Sequence, residues 1–413
     1  MGGPGFDHRI GVGIGADGGS ILVGQIAGGS ISFPDGTQSF SPSGVAVTKF
    51  SSTGQYKWAR AVPGADGVAS DVAADGSIAV LGTFAGTVKF GSQAVTSTGF
   101  ADVFVAKYAS DGSTLWARSF GTASGADIAS AVTTDRDGGV IVTALLQGPV
   151  NLGSGLVGPA VMVRYSANGA LTWSRTLGRA PRTISATGDH LVVGGSFAAQ
   201  LDMGCGPLLP RAWADGFLAS YSLATGACQW SRAVATSAST FGECGIISLA
   251  TANDGTIVIG GILRESINLG GGTLTSAGKE DLLLAQFSPT GAYQWSRAFG
   301  GSSIDFIRQV KVDSAKNVIV TGFVSTPTDL GGGVRTIRGA SDIFLAKYNT
   351  TGGHLWSSMY GSVIDDSDVS LGVSASTNEI ALSADAGQDI WLGGALLLPT
   401  AGYSDLTLAR YAP

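Results

Sequence analysis

Six acids recur at corresponding places along this chain: Asp7, Asp66, Asp127, Glu243, Asp305 and Asp366, each about ten residues before a turn rich in Asp, Asn or Gly. At a seventh such place the chain carries Arg179 and Arg182 instead. Carboxylates repeated in this way could do two kinds of work. Facing a common channel, a pair could cleave a glycosidic bond as acid and nucleophile or base, and the whole set would form an acidic funnel for a cation, a basic peptide or a sugar. Turned inward, each would accept hydrogen bonds from loop N–H groups, the ordinary habit of Asp beside a turn.

Other chemistry finds less support. His8, His190 and His354 fall in different parts of the chain, so a His-based metal site or catalytic triad is not expected. "GIGADG" at 13–18 satisfies G-x-G-x-x-G but joins two predicted strands, whereas a dinucleotide site needs a helix after the glycines. "DRDGG" at 135–139 has the look of a calcium loop, yet the corresponding later turns read "DSAKN" and "STNE", so turn geometry explains it better. No metal and no cofactor is expected.

Only 13% of the 413 residues are charged, the net charge is −6, and no Lys/Arg cluster suggests a nucleic-acid face. Glycine contributes 64 residues while 44% of the chain is hydrophobic, which excludes a disordered linker. No apolar run approaches the length of a membrane helix, about 18 residues, and "MGGPGFDHRI" has neither the basic start nor the apolar core of a signal peptide.

What must position the acids is a repeat. "DVFVAKY" (102–108) has six relatives: "GVAVTKF" (44–50), "PAVMVRY" (159–165), "DGFLASY" (215–221), "DLLLAQF" (281–287), "DIFLAKY" (342–348) and "DLTLARY" (405–411). Eight or nine residues beyond the closing aromatic stands a tryptophan: Trp58, Trp116, Trp173, Trp230, Trp295 and Trp356. Between copies lie Asp-Gly or Asn turns followed by β-branched runs such as "DGSIAVLG" (75–82). Each unit reads as four short antiparallel strands joined by Gly-containing turns. The expected fold is therefore all-β, one seven-bladed β-propeller domain over 1–413, with blades at roughly 1–62, 63–121, 122–178, 179–235, 236–300, 301–361 and 362–413. A lone blade cannot bury both faces, and one indole per blade in strict register is expected to fill the gap between sheets. The arginine two residues later (Arg60, Arg118, Arg175, Arg232, Arg297) shares the tryptophan's strand face and should cover the ring or pair with a neighbouring acid.

The pattern "D-hydrophobic-F-hydrophobic-A-K-Y", "DG" or "TG", "W-A/S-R-x-F/Y-G" and "D-G-x-I-x-V-x-G" resembles the bacterial SBBP-type β-propeller repeat across essentially the whole chain. That resemblance implies a propeller of a secreted or cell-surface protein and no particular reaction. The chain also looks like the tryptophan-docking repeats of quinoprotein dehydrogenases, a likeness of blade mechanics without support for a quinone.

The seventh copy ends at "DLTLARYAP", short of the place where its tryptophan strand belongs, and the first residues align with the tail of such a strand. The last blade is therefore expected to be incomplete, as in a piece of a longer chain, with an open edge that favours self-association. Three cysteines fall in or beside blade four. Because strands alternate direction, Cys205 and Cys244 should emerge at one end of the blade and Cys228 at the other, so Cys205–Cys244 is the expected disulfide, set against three unrelated buried thiols. A bridge would imply an oxidising compartment. The functional expectation is a non-catalytic module of a secreted, periplasmic or surface-attached protein that binds a protein or glycan partner through loops on one face. A lectin with pockets between blades and a polysaccharide hydrolase or lyase using channel-facing carboxylates are the alternatives.

Overall fold

The computed structural model describes residues 8–40, 43–153, 155–234, 244–362, 366, 368–374, 376–386, 390–392, 395–397 and 405–411. Every regular element among them is a strand. Among the described residues six sheets have four antiparallel strands that neighbour one another in the order in which the chain reaches them, and a seventh has three. Blade two is representative, with Ala65–Val72, Ile78–Phe84, Asp102–Tyr108 and Thr114–Phe120 as its first to fourth strands. Blade seven consists of Val369–Val373, Ile380–Ala386 and Asp405–Tyr411. This is a seven-blade β-propeller. The blades fall in two compact units, one of Met1–Ala180, Gly372–Gly387 and Pro399–Pro413, the other of Pro181–Leu371 and Gln388–Leu398.

The middle strands explain why their sequences run apolar without alternation. All seven residues of Asp102–Tyr108 are buried, because a neighbouring blade lies against each face of the sheet. The third strand leads through a tight turn into the fourth. In blade two, Gly112 has φ +82° and the Asp111 side chain accepts the Ser113 N–H at 2.8 Å, which accounts for the Asp-Gly pair. Pairing then slips by one residue: Lys107 opposes Trp116 while Tyr108 opposes Thr114. The extra residue, Leu115, points outward, and the bulge turns the indole toward the next blade.

That indole latches one blade to the next. Trp58 Nε1 donates to Ser110 O at 3.2 Å, and Trp116 Nε1 donates to Ala167 O at 2.9 Å. The following arginine donates to the turn glycine of the same neighbour: Arg60 Nε to Gly112 O at 2.7 Å and Arg118 Nε to Gly169 O at 2.9 Å. Its guanidinium also lies 5.3 Å from the Trp58 ring centre and 6.0 Å from that of Trp116. In these blades the arginine's partner is thus a backbone carbonyl and not a neighbouring acid. Trp58, Trp116, Trp173 and Trp295 are buried; Trp230 and Trp356 are half-buried.

The connection between second and third strands is more than a loop. In every blade it holds a hairpin of two short strands, such as Thr87–Phe90 with Gln93–Thr96 in blade two. This hairpin runs back along the outer edge of its blade. In blade two the Gln93 side chain donates to Leu115 O at 3.2 Å and accepts from Ala117 N at 2.9 Å, capping an edge strand that would otherwise expose its ladder.

Candidate functional site

Three of the six recurring acids are interior. Asp127, Asp305 and Asp366 are 2%, 0% and 6% exposed. Asp127 accepts from Thr122 N at 2.6 Å, Thr122 Oγ1 at 3.1 Å and Gln147 N at 2.8 Å, so one carboxylate ties the exit of a fourth strand to the end of the next blade's second strand. Asp305 does the same with Gly301 N at 2.7 Å and Ser325 N at 2.9 Å, and Asp366 accepts from Ser362 N at 2.5 Å. The acidic binding ring is corrected accordingly for these three: loop amides converge there, and a carboxylate turned to solvent would leave them unpaired. Asp66 is exposed and accepts from Gln25 Nε2 at 3.1 Å. Asp7 and Glu243 lie outside the described residues. In blade four, Arg182 at the same place bonds through its backbone, N–H to Gly194 O at 2.9 Å.

A second set of carboxylates lies beside the first. Asp102, Asp215, Asp281 and Asp342 open the third strands, are buried, and accept backbone N–H groups of the loop before them, as Asp281 does from Ala277 at 2.6 Å. The glycine closing each "F-G" or "Y-G" is demanded by this crowding. A Cβ on Gly121 would stand 2.5 Å from both Asp102 Cγ and Asp127 Oδ2. Replacing Asp127 by Asn is therefore expected to cost about 2 kcal/mol, because an amide N–H₂ would face backbone donors; urea denaturation measures it, and an unchanged midpoint would contradict this role.

Burial pushes the Asp281 carboxyl up, and burial together with the nearby Asp281 charge pushes Asp305 up. In the unfolded chain both ionise near pH ~4. The fold keeps their protons longer, so their contribution to stability is fully present below that pH and is lost as pH rises through the folded values. Asp281→Asn should therefore gain stability relative to the parent between pH 4 and pH 7, measured by denaturant midpoints. A constant difference would count against the pair.

Cys205 is bonded to Cys228, with Cα atoms 5.7 Å apart, and not to Cys244. The correction follows from the accessory hairpin. Its strands Leu201–Asp202 and Pro207–Leu208 carry the turn at Cys205 along the blade's edge to the beginning of the fourth strand, Cys228–Val234. The same contact recurs elsewhere without sulfur. A Cβ on Gly271 would meet Tyr293 Oη at 1.9 Å, and one on Gly332 would meet His354 Cε1 at 2.3 Å. Tyr293 and His354 stand two residues before their tryptophans, as Cys228 does. Cys/Cys, Gly/Tyr and Gly/His are thus three solutions to one packing problem, and their pairing across the repeats is the signal from which the bridge could have been read.

Exposed apolar side chains gather where the third strands begin and the next blade's first strand starts. Phe100, two residues before Asp102, is 80% exposed. Ala101 bridges Ala126, and Ile128, 53% exposed, opposes Leu145, also exposed. In the other unit the residue two before Asp215 is Trp213, 70% exposed, beside the exposed Leu209. Sequence reasoning passed over Phe100 and Trp213; their signal is an aromatic at a loop position that holds Lys279 and Ala340 in blades five and six. Between blades four and five lies a cavity of about 500 Å³ lined by Arg211, Trp230, Arg232, Asn268 and Thr290.

No family model matches the chain, and no curated protein does. Among solved structures it is similar to the β-propeller domain of the Trilobed protease from Pyrococcus furiosus (6% identity, TM-score 0.48, covering 98% of this chain and 95% of that one). It is similar also to BamB from Moraxella catarrhalis (13%, 0.38, 92% and 93%) and to prolyl oligopeptidase B from Galerina marginata (11%, 0.48, 98% and 48%). At these identities the likeness is one of fold.

Proposed function

We propose that this protein is a non-catalytic interaction module that takes a protein partner on the loops before its third strands. The observation that carries this reading is the exposure of Phe100, next in sequence to the Ala101–Ala126 bridge between blades two and three, and of the opposed pair Ile128 and Leu145 in blade three. Large apolar side chains grouped in this way are costly to leave in water and mark surfaces that another protein covers. The interior use of Asp127, Asp305 and Asp366 on loop amides supports a binding role over a hydrolase or lyase role for this module. An oxidising compartment, at the bacterial surface or in the periplasm, fits both the Cys205–Cys228 bridge and the likeness to SBBP-type repeats. No helix is long and apolar enough to cross a membrane among the described residues.

The test is capture from the host's envelope and secreted fractions, comparing the parent with Phe100→Asp. A protein retained by the parent and lost by a normally folded variant supports the reading; equal retention, or turnover of a polysaccharide panel, defeats it. A glycan ligand is the second reading, favoured by the cavity at Trp230, where an indole and Asn268 stand together. Glycan-array binding abolished by Trp230→Ala but not by Phe100→Asp would select it.

A further inference from the structure

In blades one, two, three and five the arginine beyond the tryptophan is held in one way. Arg60, Arg118, Arg175 and Arg297 each donate from Nη1 to the carbonyl of the preceding residue, at 2.7–3.2 Å. The guanidinium of the first three lies 5.3–6.0 Å from the centre of its own indole. The indoles of Trp58, Trp116 and Trp295 in turn cover the next blade's turn glycine. A Cβ on Gly112, Gly169 or Gly352 would meet Cδ2, where the two rings fuse, at 2.7–2.9 Å.

Blade four breaks this arrangement. Arg232 donates from Nη1 to Gly291 O, and its guanidinium lies 4.8 Å from the centre of the Phe287 ring instead of over Trp230. A Cβ on Gly291 would meet the outer carbons Cζ3 and Cη2 of Trp230 first, at 3.1 and 3.2 Å, so less of the ring covers the glycine. The indole is correspondingly half-buried. The cavity of about 500 Å³ lies at this break, and its lining belongs to one compact unit. Its charged lining is wholly cationic. Arg211, exposed in the loop before the third strand Asp215–Ser222, and the half-buried Arg232 both face it, and no lining residue is acidic. Among the described residues neither arginine makes an ion pair, Arg232 Nε and Nη2 are without a hydrogen-bond partner, and Arg211 bonds only through its backbone N–H, to Asp215 at 2.6 Å. Asn268 Oδ1 accepts Gly270 N–H at 2.9 Å, which leaves Nδ2 as a donor. Burial disfavours the Arg232 charge, a cost that a bound anion would offset.

We propose that this cavity binds an acidic saccharide, with the apolar face of a uronate-type sugar on the Trp230 indole and its carboxylate taken by Arg211 and Arg232. Asn268 Nδ2 donates to a hydroxyl of the same sugar. A guanidinium presents planar N–H donors that match a carboxylate, and such charge-assisted bonds are strong where water is partly excluded. The uncovered part of the indole supplies the flat apolar surface that, with a few placed donors, makes a small-ligand site. An acidic peptide would satisfy the arginines but has no flat ring of C–H groups for the indole. The inference rests on the glycan reading of this cavity given above and names the class of glycan.

The full chain is titrated calorimetrically with tetrasaccharides from polygalacturonate, alginate and hyaluronan, and with the carboxyl-reduced, neutral form of each. At least one acidic tetrasaccharide is expected to bind saturably, roughly tenfold or more tighter than its neutral form, and to weaken as salt is raised. Arg211→Gln should weaken that binding roughly tenfold. Its melting temperature should be unchanged, because the Arg211 side chain is exposed and the backbone N–H to Asp215 remains. Arg211→Lys, which keeps the charge and loses the fork, should fall between the two. Equal binding of acidic and neutral forms would overturn the acidic class and leave a glycan ligand standing. No saturable binding of any acidic form up to about 1 mM would overturn it too, and a blank glycan array beside that result would remove the glycan reading as well. Undiminished affinity in Arg211→Gln, or oligoglutamate of equal charge binding as tightly as the best saccharide, would also defeat the proposal.

Discussion

Replacing Cys228 by Ser is expected to lower the stability of blade four by about 3 kcal/mol, the loop-closure entropy released when a bridge across a 23-residue separation is opened. Urea midpoints and amide exchange in blade four report it, and an unchanged midpoint would remove the bridge's structural role. A companion variant separates covalent closure from contact. Cys205→Gly with Cys228→Tyr installs the Gly271/Tyr293 arrangement of blade five, and should recover part of the loss through packing alone. Thiol counting in denaturant should find one reactive cysteine, and peptide mapping should place it at Cys244. A label on Cys228 would be incompatible with the Cys205–Cys228 bond.

Trp116→Ala should cost about 3–5 kcal/mol, the range for truncating a buried large aromatic. The ring is buried 5.8 Å from the Tyr165 ring centre, covers Gly169, and donates from Nε1 to Ala167 O. Its removal leaves a cavity between two sheets, strips that carbonyl of a donor and frees Arg118 from the ring it covers. Trp230→Ala should cost distinctly less, because Trp230 is half-buried and already lines an open cavity. Thermal and chemical unfolding of the two variants compare them directly, and equal losses would contradict the difference in burial.

Blade count, strand order, the register of the tryptophans and the three strands of blade seven were all legible in the sequence. Each follows from local information repeated at a near-constant period: a turn glycine, an apolar run, an indole at a set distance. A strand buried on both faces admits few residue types, so Asp102–Tyr108 and its relatives resemble one another whatever lies at their ends. The direction taken by the chain between strands is not encoded in that way. Strand polarity placed Cys205 with Cys244, and the hairpin at Leu201–Leu208 overrode it by carrying the turn back along the blade to Cys228. The acids posed the same difficulty. Whether Asp127 faces solvent or loop amides depends on Thr122 and Gln147 arriving together from two strands, a convergence that exists only once the sheets have stacked. Identity and spacing fix what a side chain can do, but which groups meet it is decided by desolvation: packing brings unpaired N–H groups into the interior, and the carboxylate turns inward to satisfy them.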